Sequence, residues 1–237
     1  MKVMKLAVSL IILLTFGSCI SEDIVDDEIV EIIRINNSFS NFNVGSTVIL
    51  DAAFFDNQGI KQTVDFNLSS QNPTVLEIDT TTNEIIAKAK GTSTLLVSTV
   101  YGGKTIENSV VVTVNELGTA PAPTASNIKI GTISKTSSYD AAGDFEITEI
   151  TGGIRIKFAS NYRADRSLPG FAMYLTNNPN LITNALKIDS QGDADGVIYS
   201  GAFSIDVMGV GINDFGYLTH WCEPFRIKVG VAEIKNK

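Results

Sequence analysis

The chain is poor in the residues that usually carry chemistry. Its 237 residues include one histidine, two cysteines and one tryptophan. A structural zinc site takes about four ligands and a catalytic one about three. With Cys19 assigned below to a lipid, His220 and Cys222 supply only two. Basic residues are outnumbered, 18 against 26 acidic, for a net charge of −8, and they form no cluster. That balance disfavours nucleic acid and anionic headgroups as partners, since both are bound through concentrated positive charge. No stretch sustains the apolar period of an amphipathic helix. No serine sits in a nucleophile elbow. Gly209-Val210-Gly211 lacks the third glycine and the βαβ setting of a dinucleotide fingerprint. Gln191 to Gly196 reads as a turn rather than a calcium loop, because no glutamate closes it: Ala202 stands at roughly position 12.

The amino terminus has a clear layout. Lys2 and Lys5 precede an apolar run from Leu6 to Leu14, then Phe16-Gly17-Ser18 leads into Cys19. A positive start, a short apolar run and small residues at the end make a secretory signal. The run is too short to span a bilayer, which takes about 20 residues. The segment resembles the lipobox of bacterial lipoproteins, with Phe16 where an aliphatic residue is usual. The resemblance implies a signal peptide over residues 1–18, lipidation of Cys19 and a lipid anchor in a membrane. Ile20 is not the aspartate that retains such proteins at the inner membrane. Ser21-Glu22-Asp23 resembles the serine-and-acid signal that sends some lipoproteins to the cell surface, so an outer-membrane, surface-exposed location is expected. Residues 19–30 read as an acidic tether. With Cys19 lipidated, Cys222 is the only thiol left. No internal disulfide is then possible, even in an oxidising compartment.

Past the tether the pattern is all-β. Short β-branched runs alternate with turn residues: Thr47 to Leu50, Glu84 to Ala87, Thr94 to Val100 and Ser109 to Val114. About seven such strands imply a β-sandwich over residues 31–115. Val44-Gly45-Ser46-Thr47, Leu68-Ser69-Ser70-Gln71-Asn72-Pro73, Lys90-Gly91-Thr92 and Tyr101-Gly102-Gly103-Lys104 occur in the order seen in group-2 bacterial immunoglobulin-like domains. The resemblance implies an immunoglobulin-like sandwich acting as a spacer or adhesion module. Leu68 stands where a core tryptophan is usual and Asn83 where a turn glycine is. Leucine fills a core site, and asparagine tolerates a left-handed turn. Residues 116–127 carry two prolines among small residues and read as a semi-stiff spacer.

Residues 128–237 alternate again, at Phe145 to Ile147, Ile154 to Phe158, Phe203 to Val207 and Phe225 to Val229. One polar face per strand implies antiparallel sheets, in a second sandwich or a flattened barrel. Gly131-Thr132-Ile133, Gly143-Asp144-Phe145, Pro169-Gly170-Phe171-Ala172-Met173-Tyr174-Leu175 and Trp221-Cys222 with Gly230-Val231-Ala232 resemble the DM-thirteen domain. That family has been proposed to work in electron transfer, with its cysteine as the redox residue. Tyr139 stands where the family often has a histidine.

Cys222 and His220 are the candidate redox pair. On a strand they share one face and Trp221 takes the other, and an imidazolium nearby would lower the thiol pKa. As a bland alternative, a free cysteine packs as a small apolar group. Copper or haem on these residues, with Met173 or Met208, is the cofactor alternative; otherwise none is expected. The aromatic residues of this half read mainly as core. The leading expectation is a non-catalytic binding or adhesion protein with a protein or glycan ligand. The alternative is an extracytoplasmic redox module at Cys222.

Overall fold

The computed structural model describes residues 27–39, 42–116, 128–188 and 199–237. The signal, Cys19, most of the tether, most of the proline spacer and the Gln191–Gly196 turn lie outside the described residues.

The described chain is all-β, with no α-helix. The amino-terminal half holds β1 (Ile32–Ile35), β2 (Thr47–Ile49), β3 (Ala52–Phe55), β4 (Lys61–Gln62), β5 (Asn67–Ser70), β6 (Leu76–Asp79), β7 (Glu84–Ala87), β8 (Gly91–Tyr101) and β9 (Lys104–Val114). They form three small antiparallel sheets, β1-β3-β4, β2-β7-β6 and β5-β8-β9. All three pack on one core that includes Ile33, Phe54, Leu76, Ile85, Leu95 and Val112. β8 shows how alternation builds it. Leu95 and Val97 point inward and Val100 is exposed. The inward polar residues are satisfied: Ser93 Oγ lies 2.8 Å from Ser70 Oγ and accepts from the Asn72 amide at 3.0 Å, and Thr99 donates to the Asp65 carbonyl. Leu68 is buried in this core. Asn83 adopts φ 55°, the left-handed turn read from the sequence. β8 and β9 pair along their full length from Tyr101↔Lys104. Their turn is Gly102-Gly103, with φ 57° and 78°, the two positive values a tight hairpin matched to strand twist requires.

The carboxy-terminal half holds β10 (Lys129–Lys135), β11 (Ala141–Ile150), β12 (Gly153–Phe158), β13 (Arg163–Ala164), β14 (Phe171–Thr176), β15 (Leu186–Lys187), β16 (Phe203–Met208), β17 (Tyr217–Cys222), β18 (Ile227–Glu233) and β19 (Lys235–Asn236). They form one ten-stranded sheet with the main order β15-β14-β17-β18-β10-β11-β12-β16. It curls around a core that includes Phe145, Ile156, Phe158, Tyr162, Phe171 and Leu218. Phe158 stacks on Phe203 at 4.3 Å between ring centroids. β14 departs from alternation and is buried on both faces. Its outer face, with Trp221, is covered by Ile182 and Ala185 of the loop that follows it. One sequence expectation fails at Phe225. Glu223–Phe225 forms a 3-10 turn, and Phe225 is 64% exposed. Pro224 has no N–H for a ladder, and Arg226 takes φ 51°, so the strand starts at Ile227.

The two halves touch directly. The Arg34 guanidinium on β1 lies 4.3 Å from the centroid of the Phe55 ring. It reaches across to donate to Asn177 Oδ1 at 2.9 Å and to the Asn213 carbonyl at 3.4 Å. The Asn177 side chain accepts from the Gly216 amide and donates to the Asp214 carbonyl. Asn178 donates to the Asp27 carbonyl at 2.7 Å. Burial lowers the pKa of Arg34 to about 10. A Cβ at Gly216 would lie 2.1 Å from Arg34 Nη2, so glycine is what lets the guanidinium seat. The described residues of the two halves therefore meet in a polar, interlocked contact.

Candidate functional site

β17 carries both candidate residues. It pairs with β14 on one side, Cys222 opposite Phe171 and His220 opposite Met173. On the other side it pairs with β18 through a bulge at His220/Trp221. Leu218 and Cys222 belong to the main core and Trp221 to the small outer cluster. The alternation expected for His220, Trp221 and Cys222 is therefore what the strand shows.

His220 is fully buried. Tyr162 and Phe171 meet its ring edge-on, at centroid distances of 5.8 and 5.1 Å. Neither ring nitrogen has a hydrogen-bond partner among the described residues. Desolvation lowers its pKa to about 3, because no group nearby compensates a buried charge. The ring is therefore neutral at neutral pH, and no imidazolium stands beside Cys222. Cys222 is itself 1% exposed. Its thiol faces the Pro169 carbonyl at 3.8 Å. That is the environment of a packed, weakly reactive cysteine. Opposite His220, Met173 is buried and its sulfur accepts from the Tyr162 hydroxyl at 3.8 Å. Met208, the other methionine considered from the sequence, is 62% exposed on β16. Among the described residues no three His, Cys, Asp or Glu side chains gather as a metal centre.

The outer side of the same strands is polar. Tyr174 donates to the Glu223 carboxylate, which also accepts from Lys187 at 2.7 Å. Burial pushes Glu223 up, but the bonds from Lys187 and Tyr174 outweigh it and hold the carboxyl below its ordinary value. Burial first, and Glu223 next, push Tyr174 up. Nearby, Trp221, Asn180, Arg226 and Lys228 line a groove of about 440 Å³. A larger groove, about 580 Å³, lies over β10, β11 and β12. Its rim carries Ile130, Thr132, Asp144, Glu146, Lys157 and Glu233. Four of these are already paired: Thr132 donates to Asp144 at 2.7 Å, Lys237 to Glu146 at 2.6 Å, and Lys235 to Glu233 at 2.9 Å. Bonds from Thr132 and Asn161 keep Asp144 ionised below its ordinary pKa. Cys222 and His220 line neither groove.

No family model matches the chain, and no curated protein matches it in sequence. Two solved structures align over most of it. Domains 4 and 5 of the S-layer protein SbsC align at 14% identity over 88% of this chain and 98% of that one, with a TM-score of 0.26. The S-layer protein rSbsC(31-844) aligns at 12% identity over 89% of this chain, with a TM-score of 0.28. The chain spans 40% of the length of that second protein.

Three features of this region are absent from the sequence reading. The pairing of Met173 with His220 depends on strand register. The seat of Tyr162 against His220 depends on how the sheet curls. The groove over β10 to β12 joins strands far apart in the chain. The unbroken apolar run Phe171-Ala172-Met173-Tyr174-Leu175 was the available signal for a strand buried on both faces.

Proposed function

We propose that the protein is a lipid-anchored, surface-displayed binding protein without catalytic activity. The immunoglobulin-like half acts as a stalk, and the carboxy-terminal, DM-thirteen-like half carries the ligand. The observation behind this reading is the groove of about 580 Å³ over β10, β11 and β12. Its rim alternates apolar surface with carboxylates and amines already held in place by hydrogen bonds. Such preorganised polar groups beside apolar surface suit the hydroxyls and ring faces of a glycan. The Arg34 contact supports the stalk role, because it fixes the groove relative to the amino-terminal half. The buried Cys222 and neutral His220 do not favour thiol chemistry with a soluble partner.

The test is a glycan-array screen of the full chain, followed by titration of any hit. Asp144→Ala and Lys157→Ala, both on the exposed face, should weaken the hit at least tenfold, about 1.4 kcal/mol, while leaving the fold intact. A screen with no hit, or hits indifferent to both substitutions, refutes the groove reading.

A further inference from the structure

The unpartnered imidazole in the carboxy-terminal core needs a physical account. Buried polar atoms are nearly always hydrogen-bonded, and each exception calls for strain, function or an ion. His220 is fully buried with both nitrogens unpartnered among the described residues. The side chain directly opposite it on β14 is Met173, and directly opposed residues on one sheet face bring their side chains together. Cys222 lies two residues along β17, also in this core. One sheet face therefore brings together an imidazole, a thioether and a thiol, and among the described residues of this half no carboxylate is buried.

The identity of these donors selects the ion. Thioether and thiol sulfur are soft ligands that favour monovalent copper, whereas calcium, magnesium and manganese want oxygen. The neutral state of His220 leaves a lone pair on the ring for a metal. Met173 sulfur already accepts one bond, from Tyr162, and keeps a second lone pair. A bare charge in so dry a place is costly. Cys222 removes that cost: on binding, its thiol proton leaves to the buffer and the thiolate neutralises the single positive charge of Cu(I). No electron is transferred in that step.

We propose that His220 and Met173, with Cys222 as third donor, form a buried Cu(I) site within the carboxy-terminal sheet. It is separate from the surface groove and does not depend on the binding role proposed above.

The test uses the full chain under anaerobic conditions, titrated with Cu(I) held as a coloured chelator complex. One equivalent should transfer to the protein, releasing one proton and raising the thermal midpoint seen by Trp221 fluorescence. His220→Phe and Met173→Leu should each weaken binding at least tenfold and abolish the rise in midpoint. Cys222→Ser should abolish the proton release. X-ray absorption should show one nitrogen and sulfur neighbours. Should either core variant fold poorly, the absorption spectrum of the unmutated protein decides alone. Copper left with the chelator, oxygen or nitrogen neighbours only, or affinities unchanged in both core variants overturns the site.

Discussion

Acidification of the metal-free protein should destabilise the carboxy-terminal half through one residue. His220 is neutral when folded, with a pKa lowered to about 3 by burial, against an ordinary 6.5. Once unfolded, the ring takes up a proton below about pH 6.5. The sign follows: above the unfolded value His220 carries no pH-linked penalty, and stability falls as pH drops from there toward 3. Each pH unit inside that window costs about 1.4 kcal/mol. From pH 7 to pH 5 the loss comes to about 2 kcal/mol. The window is clean, because His220 is the only histidine in the chain and carboxylates titrate mainly lower. The reporter is built in as well, since the single tryptophan, Trp221, sits beside it. Urea unfolding followed by tryptophan fluorescence should show the midpoint fall between pH 7 and 5. His220→Phe, which fits the same apolar site between Tyr162 and Phe171, should flatten the slope. An unmutated protein equally stable at both pH values, or a variant with the same slope, would refute the neutral buried ring.

Three further outcomes test other parts of the molecule. Arg34→Met keeps the stem and removes the guanidinium. It should cost roughly 1–3 kcal/mol through the lost charge-assisted bonds and ring contact. Calorimetry should then show the two halves melting separately. Gly216→Ala should produce the same split, because its Cβ would collide with Arg34 Nη2; a single unchanged transition in both variants would show the contact to be energetically idle. Cys222 in the native protein should resist a thiol-labelling reagent and react only as fast as the domain opens, so rapid native labelling refutes its burial. Cys19→Ala should move the protein from the membrane fraction to the soluble one, and a variant that stays membrane-bound refutes the lipid anchor.

What was legible in the sequence was what is local. The all-β character followed from period-two runs such as Glu84 to Ala87, which forms β7 with those bounds. The left-handed turn at Asn83 followed from a residue that tolerates positive φ. The shared face of His220 and Cys222 followed from strand geometry alone. Tertiary structure decided the rest, because it depends on groups distant in the chain. Arg34 meets Asn177 across 143 residues, which no local pattern encodes, and that meeting locks the two halves together. The His220 proton illustrates the same point. Sequence supplied an ordinary histidine two places from a thiol. Only the closure of Tyr162 and Phe171 around it, with no hydrogen-bond partner among the described residues, strips its water, keeps it neutral and leaves its nitrogens free.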